Sequence, residues 1–174
     1  MIQIIDSDIY STSNEFLVNP VDCTDMVNTE MFQEIVDRCP HVYREYLRYI
    51  RYCSKSKINP LGTAQYIPVD SWALVMVDTI KNNRVDAYDK GYKYIVNLFG
   101  YKDLTDPTQP IRLKAIRNAF TDICEKANCI NAAIAVPYGM FCKSDSDWQK
   151  LFEILKETAD RTNAAVQIYR QDGS

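Results

Sequence analysis

Residues 110–136 read PIRLKAIRNAFTDICEKANCINAAIAV, and this stretch decides the fold class. Leu113, Ile116, Phe120, Ile123 and Ala127 recur at three- and four-residue steps, the spacing that gathers side chains on one face of an α-helix. Pro110 suits the first turn of such a helix, where a missing N–H costs no hydrogen bond. Ala132 to Val136 follows at once and is apolar at every position, as a strand covered on both faces must be. A helix feeding directly into a doubly buried strand is the unit from which parallel sheets are built.

The same alternation extends in both directions. Towards the C-terminus, Ser144 and Asp147 form a capping-box-like start, with Asp in place of Glu or Gln. Trp148, Leu151, Phe152, Leu155 and Ala159 then mark a helix that leads to a last strand, Ala165 to Tyr169. Towards the N-terminus, Tyr94, Ile95, Val96 and Leu98 predict a buried strand ending at Gly100. Before it, Thr63 to Val69 alternates as a strand, Trp72 to Val77 reads equally as strand or buried helix, and Asn82 to Lys93 reads as a connection. Thr29 is an N-cap for a helix carrying Met31, Ile35 and Cys39 until Pro40 stops it, and Tyr43, Tyr46, Leu47, Ile50 and Cys53 form the face of the next. Ile2 to Ile5 and Phe16 to Val18 predict the first two strands, the second ended by Asn19 and Pro20. The expected class is α/β: a three-layer α/β/α sandwich with a mostly parallel mixed sheet, one domain over residues 1–174. Ligands of such sheets sit outside the carboxyl ends of strands, which directs attention to Asn19–Asn28, Asn97–Lys102 and Tyr138–Asp147.

Composition removes many functions. The chain has 174 residues, 47% of them hydrophobic and 25% charged, the balance of one ordinary globular domain. A net charge of -3 and a pI near 5.2 supply no global positive field, so nucleic acid and anionic membranes are disfavoured partners. The apolar runs are too short to cross a bilayer and no basic-then-apolar leader opens the chain, so a cytoplasmic location is expected. The single histidine, His41, reads as a surface cap residue, and having only one removes two-histidine metal sites and most triads; no metal or cofactor is expected. Six cysteines without a CxxC pair read as reduced core thiols. Five glycines stand where average usage of about 7% would give roughly twelve, so a glycine-rich phosphate cradle is not on offer.

Several strand ends carry a resemblance to a known family. Asp8-Ile9 resembles the Gly-Asp-Ile motif of the macro domain, and Phe16-Leu17-Val18-Asn19-Pro20-Val21-Asp22-Cys23 resembles its strand ending in Val-Asn-Pro-Val-Asn. Tyr94-Ile95-Val96-Asn97-Leu98-Phe99-Gly100 is similar to a middle strand of bacterial and phage-type members, while Ala135-Val136-Pro137-Tyr138-Gly139 and Asp147-Trp148 resemble the start and end of the family's second ligand loop. The resemblance implies a pocket for ADP-ribose or a related nucleotide, built from Asp8, Ile9, Asn19, Asn97, Tyr138, Gly139, Phe141, Cys142 and Ser144. The chain departs from the family in both loops. The first, usually glycine-rich, reads Thr24-Asp25-Met26-Val27-Asn28-Thr29-Glu30, and the second reads Met140-Phe141-Cys142-Lys143-Ser144-Asp145-Ser146. The lysine and aspartate by which some members cleave glutamate-linked ADP-ribose correspond to Leu98 and Ser144.

Each residue also has a plainer reading. Asp8 either accepts from an adenine amine or caps a turn; Asn19 and Asn97 either hold ribose hydroxyls or end strands; Phe141 either stacks on a ligand or anchors its loop. Cys142 sits where a helix N-terminus would lower a thiol pKa, and Lys143 where it could attract an anion. Arg44, Arg48, Arg51 and Lys55, interleaved with Tyr43, Tyr46, Tyr49 and Tyr52, read first as a solvated helix face. Three functions stand open at this point: binding, or sequestration of a signalling nucleotide; hydrolysis with Asp25 or Asp145 positioning water; and a degenerate scaffold serving as a protein interaction module. An open cleft between the Asn19 and Tyr138 ends favours binding, and one filled by Met140 or Phe141 favours the module.

Overall fold

A computed structural model describes residues 1–69 and 92–171. In chain order these form β1 (Ile2–Asp6), a 3-10 turn (Ile9–Ser11), β2 (Phe16–Asp22), α1 (Glu30–Arg38), α2 (His41–Ser56), β3 (Ala64–Pro68), β4 (Tyr94–Tyr101), α3 (Leu113–Cys129), β5 (Ile134–Pro137), α4 (Asp145–Thr162) and β6 (Val166–Arg170). The undecided run Trp72 to Val77 and all but the last two residues of the connection from Asn82 to Lys93 lie outside the described residues. The six strands make one sheet in the order β1-β6-β5-β2-β4-β3. Every neighbouring pair is parallel except β3 and β4.

Side chains alternate across the pleat, and this divides the core into two halves. Phe16, Val18, Val96, Leu98, Ile134 and Val136 pack against Ile116, Phe120 and Ile123 of α3 and Leu151 and Leu155 of α4. Leu17, Val21, Ile95 and Phe99 face the other way, onto Phe32 and Ile35 of α1 and Val42 and Tyr46 of α2. The expected three layers are therefore present. N-caps form where the sequence placed them: the Thr29 hydroxyl accepts from Phe32 N and the Ser144 hydroxyl from Asp147 N.

Four expectations are corrected. Strand β2 continues through Asn19 and Pro20 to Asp22, because beyond Leu17 it has no β5 neighbour and a residue without an N–H can be absorbed on that side. Helix α3 begins at Leu113 behind Arg112, not at Pro110, since Ile111 first packs onto the core. His41 is buried at the start of α2, with Nε2 3.2 Å from the Pro68 carbonyl, rather than on the surface. Among the cysteines Cys39, Cys53 and Cys124 are buried, Cys23 and Cys142 are half-buried, and Cys129 is exposed.

Candidate functional site

A cleft of about 500 Å³ opens where β5 and β6 end, between the 3-10 turn and α1. Its apolar and aromatic lining comes from Ile9, Tyr10, Met31, Pro137, Tyr138 and Tyr169. Its charged groups are the carboxylates of Asp8, Glu30 and Glu34 and the guanidinium of Arg38, and Gln171 lines it as well. Three acids against one base make the cleft negative. Arg38 is held in place twice, by an ion pair to Glu34 at 2.7 Å and by stacking over the Tyr10 ring at 4.4 Å. Burial, and next the charge of Glu34, push the Tyr10 phenol up to about 12, so it stays a neutral donor at ordinary pH, with its hydroxyl directed at the Met31 carbonyl.

The Asp8 carboxylate has two tasks. Its Oδ1 accepts from Tyr10 N at 3.0 Å and caps the 3-10 turn. As a carboxylate with two oxygens it keeps acceptor capacity for a ligand amine in the same cleft. Asp8, Ile9 and Tyr138 are thus the residues that sequence reasoning placed together and that share this cavity.

Asn19 and Asn97 sit elsewhere, fully buried in the middle of the sheet. They are register partners on β2 and β4, as Asn97 and Gln65 are on β4 and β3. Asn19 Nδ2 donates to Asn97 Oδ1 (2.8 Å), Asn97 Nδ2 to Gln65 Oε1 (3.0 Å), and Gln65 Nε2 to the Glu45 carbonyl of α2 (2.8 Å). This amide chain crosses three strands and ties the sheet to α2.

The loop from Tyr138 to Ser144 is fastened by its own side chains. Gly139 has φ +71°, and Phe141, unusually for a residue with a Cβ, has φ +61°. Phe141 lies stacked on Tyr101, with ring centroids 5.8 Å apart, and against the bare backbone of Gly100. Met140 is buried in the core beneath α3 and α4. Neither side chain enters the cleft. Cys142 Sγ donates to the Met140 carbonyl, and burial, then the charge of Asp147, raises its thiol to about 11. The lowering expected from the helix N-terminus is outweighed, because desolvation penalises the thiolate. Lys143 Nζ donates to the carbonyls of Pro107 (3.0 Å) and Gln109 (3.3 Å).

The loop from Cys23 to Thr29 is built around one buried carboxylate, that of Asp22. Its Oδ1 accepts from Thr24 N (3.1 Å) and Thr24 Oγ1 (2.7 Å), and its Oδ2 from Asn28 Nδ2 (2.6 Å) and Leu104 N (2.8 Å). The Tyr46 hydroxyl is directed at the carbonyls of Asp22 (3.1 Å) and Thr24. Asp25 and Asp145 are exposed and line no part of the cleft.

Sequence reasoning missed Tyr10, Met31, Glu34, Arg38 and Tyr169. The signal was present: Met31, Glu34 and Arg38 fall at steps of three and four on α1, and Tyr169 lies one residue from the end of β6, a parallel strand whose carboxyl end was passed over.

No family model matches the sequence, and no curated protein matches it. Solved structures do match it. The macrodomain of Mycobacterium tuberculosis DarG superposes with a TM-score of 0.69 at 19% identity, over 97% of each chain. A macrodomain protein from Streptomyces coelicolor gives a TM-score of 0.72 at 14% identity, over 98% of this chain and 99% of that one. The chain has the macrodomain fold. A further match, Thermosipho africanus DarTG, described in complex with ADP-ribose, gives a TM-score of 0.70 at 15% identity over 97% of this chain and 41% of that one. At these identities the shared property is the macrodomain architecture.

Proposed function

We propose that this macrodomain-fold chain binds ADP-ribose or a related ADP-ribose-derived nucleotide in the cleft lined by Asp8, Ile9 and Tyr138. The observation that carries the reading is the open cleft itself: about 500 Å³, within the range of small-molecule sites, with aromatic walls for a ring and a carboxylate acceptor for its amine. Neither Met140 nor Phe141 fills it, which disfavours the interaction-module reading. The ligand described for the T. africanus structure supports the nucleotide class. Binding needs no acid–base pair, and the two aspartates proposed for hydrolysis lie outside the cleft, so sequestration without turnover fits this geometry better.

Thermal denaturation with and without ADP-ribose tests the reading, since a ligand that binds only the native state must raise the melting temperature. Wild-type protein is expected to shift, and Asp8→Asn to bind at least about tenfold more weakly, consistent with a hydrogen bond worth roughly 1.5 kcal/mol or more. Asparagine can still accept from Tyr10 N and preserve the turn while presenting an N–H2 where the ligand needs an acceptor. No shift of the wild type at millimolar ADP-ribose would overturn the proposal.

A further inference from the structure

Several polar groups of the kind that hold phosphate are bound internally in both loops. In the first, Thr24 N, the Thr24 hydroxyl and the Asn28 amide converge on the Asp22 carboxylate, joined by Leu104 N from the loop after β4. Met26 N is directed at Thr24 Oγ1. In the second, the Lys143 ammonium donates to two carbonyls and Cys142 N to the Gly139 carbonyl, while the Ser144 hydroxyl oxygen accepts from Asp147 N. The side chains flanking the first loop are acidic, with Asp25 and Glu30 exposed and no Lys or Arg between Asp22 and Gln33. An incoming diphosphate would compete with a buried internal anion for the same donors and meet further negative charge as it did so.

We infer that Asp22 acts as a built-in anion occupying the loop donors, so that the site selects the nucleoside end of its ligand and gains nothing from the diphosphate. This rests on the proposed nucleotide reading and narrows its substrate class: an adenosine-like group is the recognised element, and whatever is attached at its 5′ position projects past the knotted loop. Asp22 is here a specificity-determining, positioning residue that touches no ligand.

Titration calorimetry with adenosine, AMP and ADP-ribose at one fixed salt concentration tests it. Adenosine and ADP-ribose are expected to bind within about fivefold of one another. ADP-ribose binding more than tenfold tighter than adenosine would overturn this inference and leave the proposed function standing. Failure of all three to bind would overturn the proposed function and this inference with it. A second arm uses Asp22→Asn, confirmed folded by circular dichroism, in which an N–H2 group replaces one of the two accepting oxygens and some of the donors are released. Its ADP-ribose-to-adenosine affinity ratio is expected to rise at least tenfold, and an unchanged ratio in the folded variant would overturn the role given to Asp22. The third measurement needs no variant. Hydrogen exchange of the wild type with ADP-ribose is expected to slow at residues 8–10 and not at 23–29, and slowing confined to 23–29 would overturn the inference.

Discussion

Phe141 holds a backbone conformation that costs a residue with a Cβ about 1–3 kcal/mol, and its ring contacts are what sustain it. The neighbour that makes room is Gly100: a Cβ there would stand 2.5 Å from Phe141 Cε2, 2.7 Å from Cζ and 2.8 Å from Ile116 Cγ1. One of these contacts belongs to a core helix and cannot simply swing away. Gly100→Ala is expected to cost ~1–3 kcal/mol of unfolding free energy, the usual cost of overpacking, read from urea denaturation. Because two of the three close contacts are with Phe141, the double variant Gly100→Ala/Phe141→Ala should be at least ~0.5 kcal/mol more stable than the sum of the two single effects. Strict additivity would show that Phe141 does not rest on Gly100. At this scale the sequence was ambiguous for a definite reason: both readings of Phe141, ligand platform and loop anchor, need an aromatic residue, and only its ring partner tells them apart. The same holds for Asn19 and Asn97, whose buried cross-strand pairing is a property of register and not of either residue.

Helix α1 is the element that joins fold stability to the cleft. One face, with Phe32 and Ile35, is buried in the core, while Met31, Glu34 and Arg38 reach the cavity. Its first turn depends on the Thr29 hydroxyl accepting from Phe32 N at 3.0 Å. Thr29→Ala is expected to lower stability by ~1 kcal/mol, visible as a reduced urea midpoint at unchanged slope. Ligand affinity should fall with it by a few-fold, because the same turn positions Met31; unchanged affinity in the destabilised variant would separate the helix from the site. The elements were the most legible level of this chain. Helical spacing located all four described helices, and apolar runs located the strands, because amphipathic burial writes its period directly into the residues. What escaped was where β2 stops: Asn19 and Pro20 are strong terminators locally, and only the loss of its β5 neighbour explains why the strand runs on.

Across the whole molecule, burial acts in one direction on a scattered set of thiols and phenols. Cys23 is pushed from an ordinary value of 9.0 up to about 12, Cys124 and Cys142 from 9.0 to about 11, and Tyr10 from 10.0 to about 12, in each case chiefly by desolvation. Tyr46, Tyr66 and Tyr92 are raised as well, also chiefly by burial. These groups release their protons near pH 9–10 in the unfolded chain and later in the folded one. Between those values the unfolded state binds fewer protons, so unfolding free energy falls as pH rises. Their contribution is fully present below pH 9 and is lost progressively from about 9 to about 12. A melting temperature insensitive to these groups up to pH 9 and declining steadily from pH 9 to 11 is the expected profile; a flat profile through pH 11 would mean that they are not desolvated.

The sequence by itself determined the layered α/β class, the helix faces and caps, and the placement of Asp8-Ile9 and Pro137-Tyr138 at strand ends, because these depend on local periodicity and on chain order. Tertiary structure decided which of the candidate residues meet. Sheet order brings β6 between β1 and β5, and so sets Tyr169 and Tyr138 beside Asp8 across a cavity, while in-register pairing of β2 with β4 turns two candidate ligand asparagines into a buried amide chain. It also decided that Asp22, which reads in the sequence as one more strand-end acid, gathers four donors from two loops. Three of those donors are local, but the Leu104 contact joins residues 82 positions apart, and no local pattern of the chain encodes it.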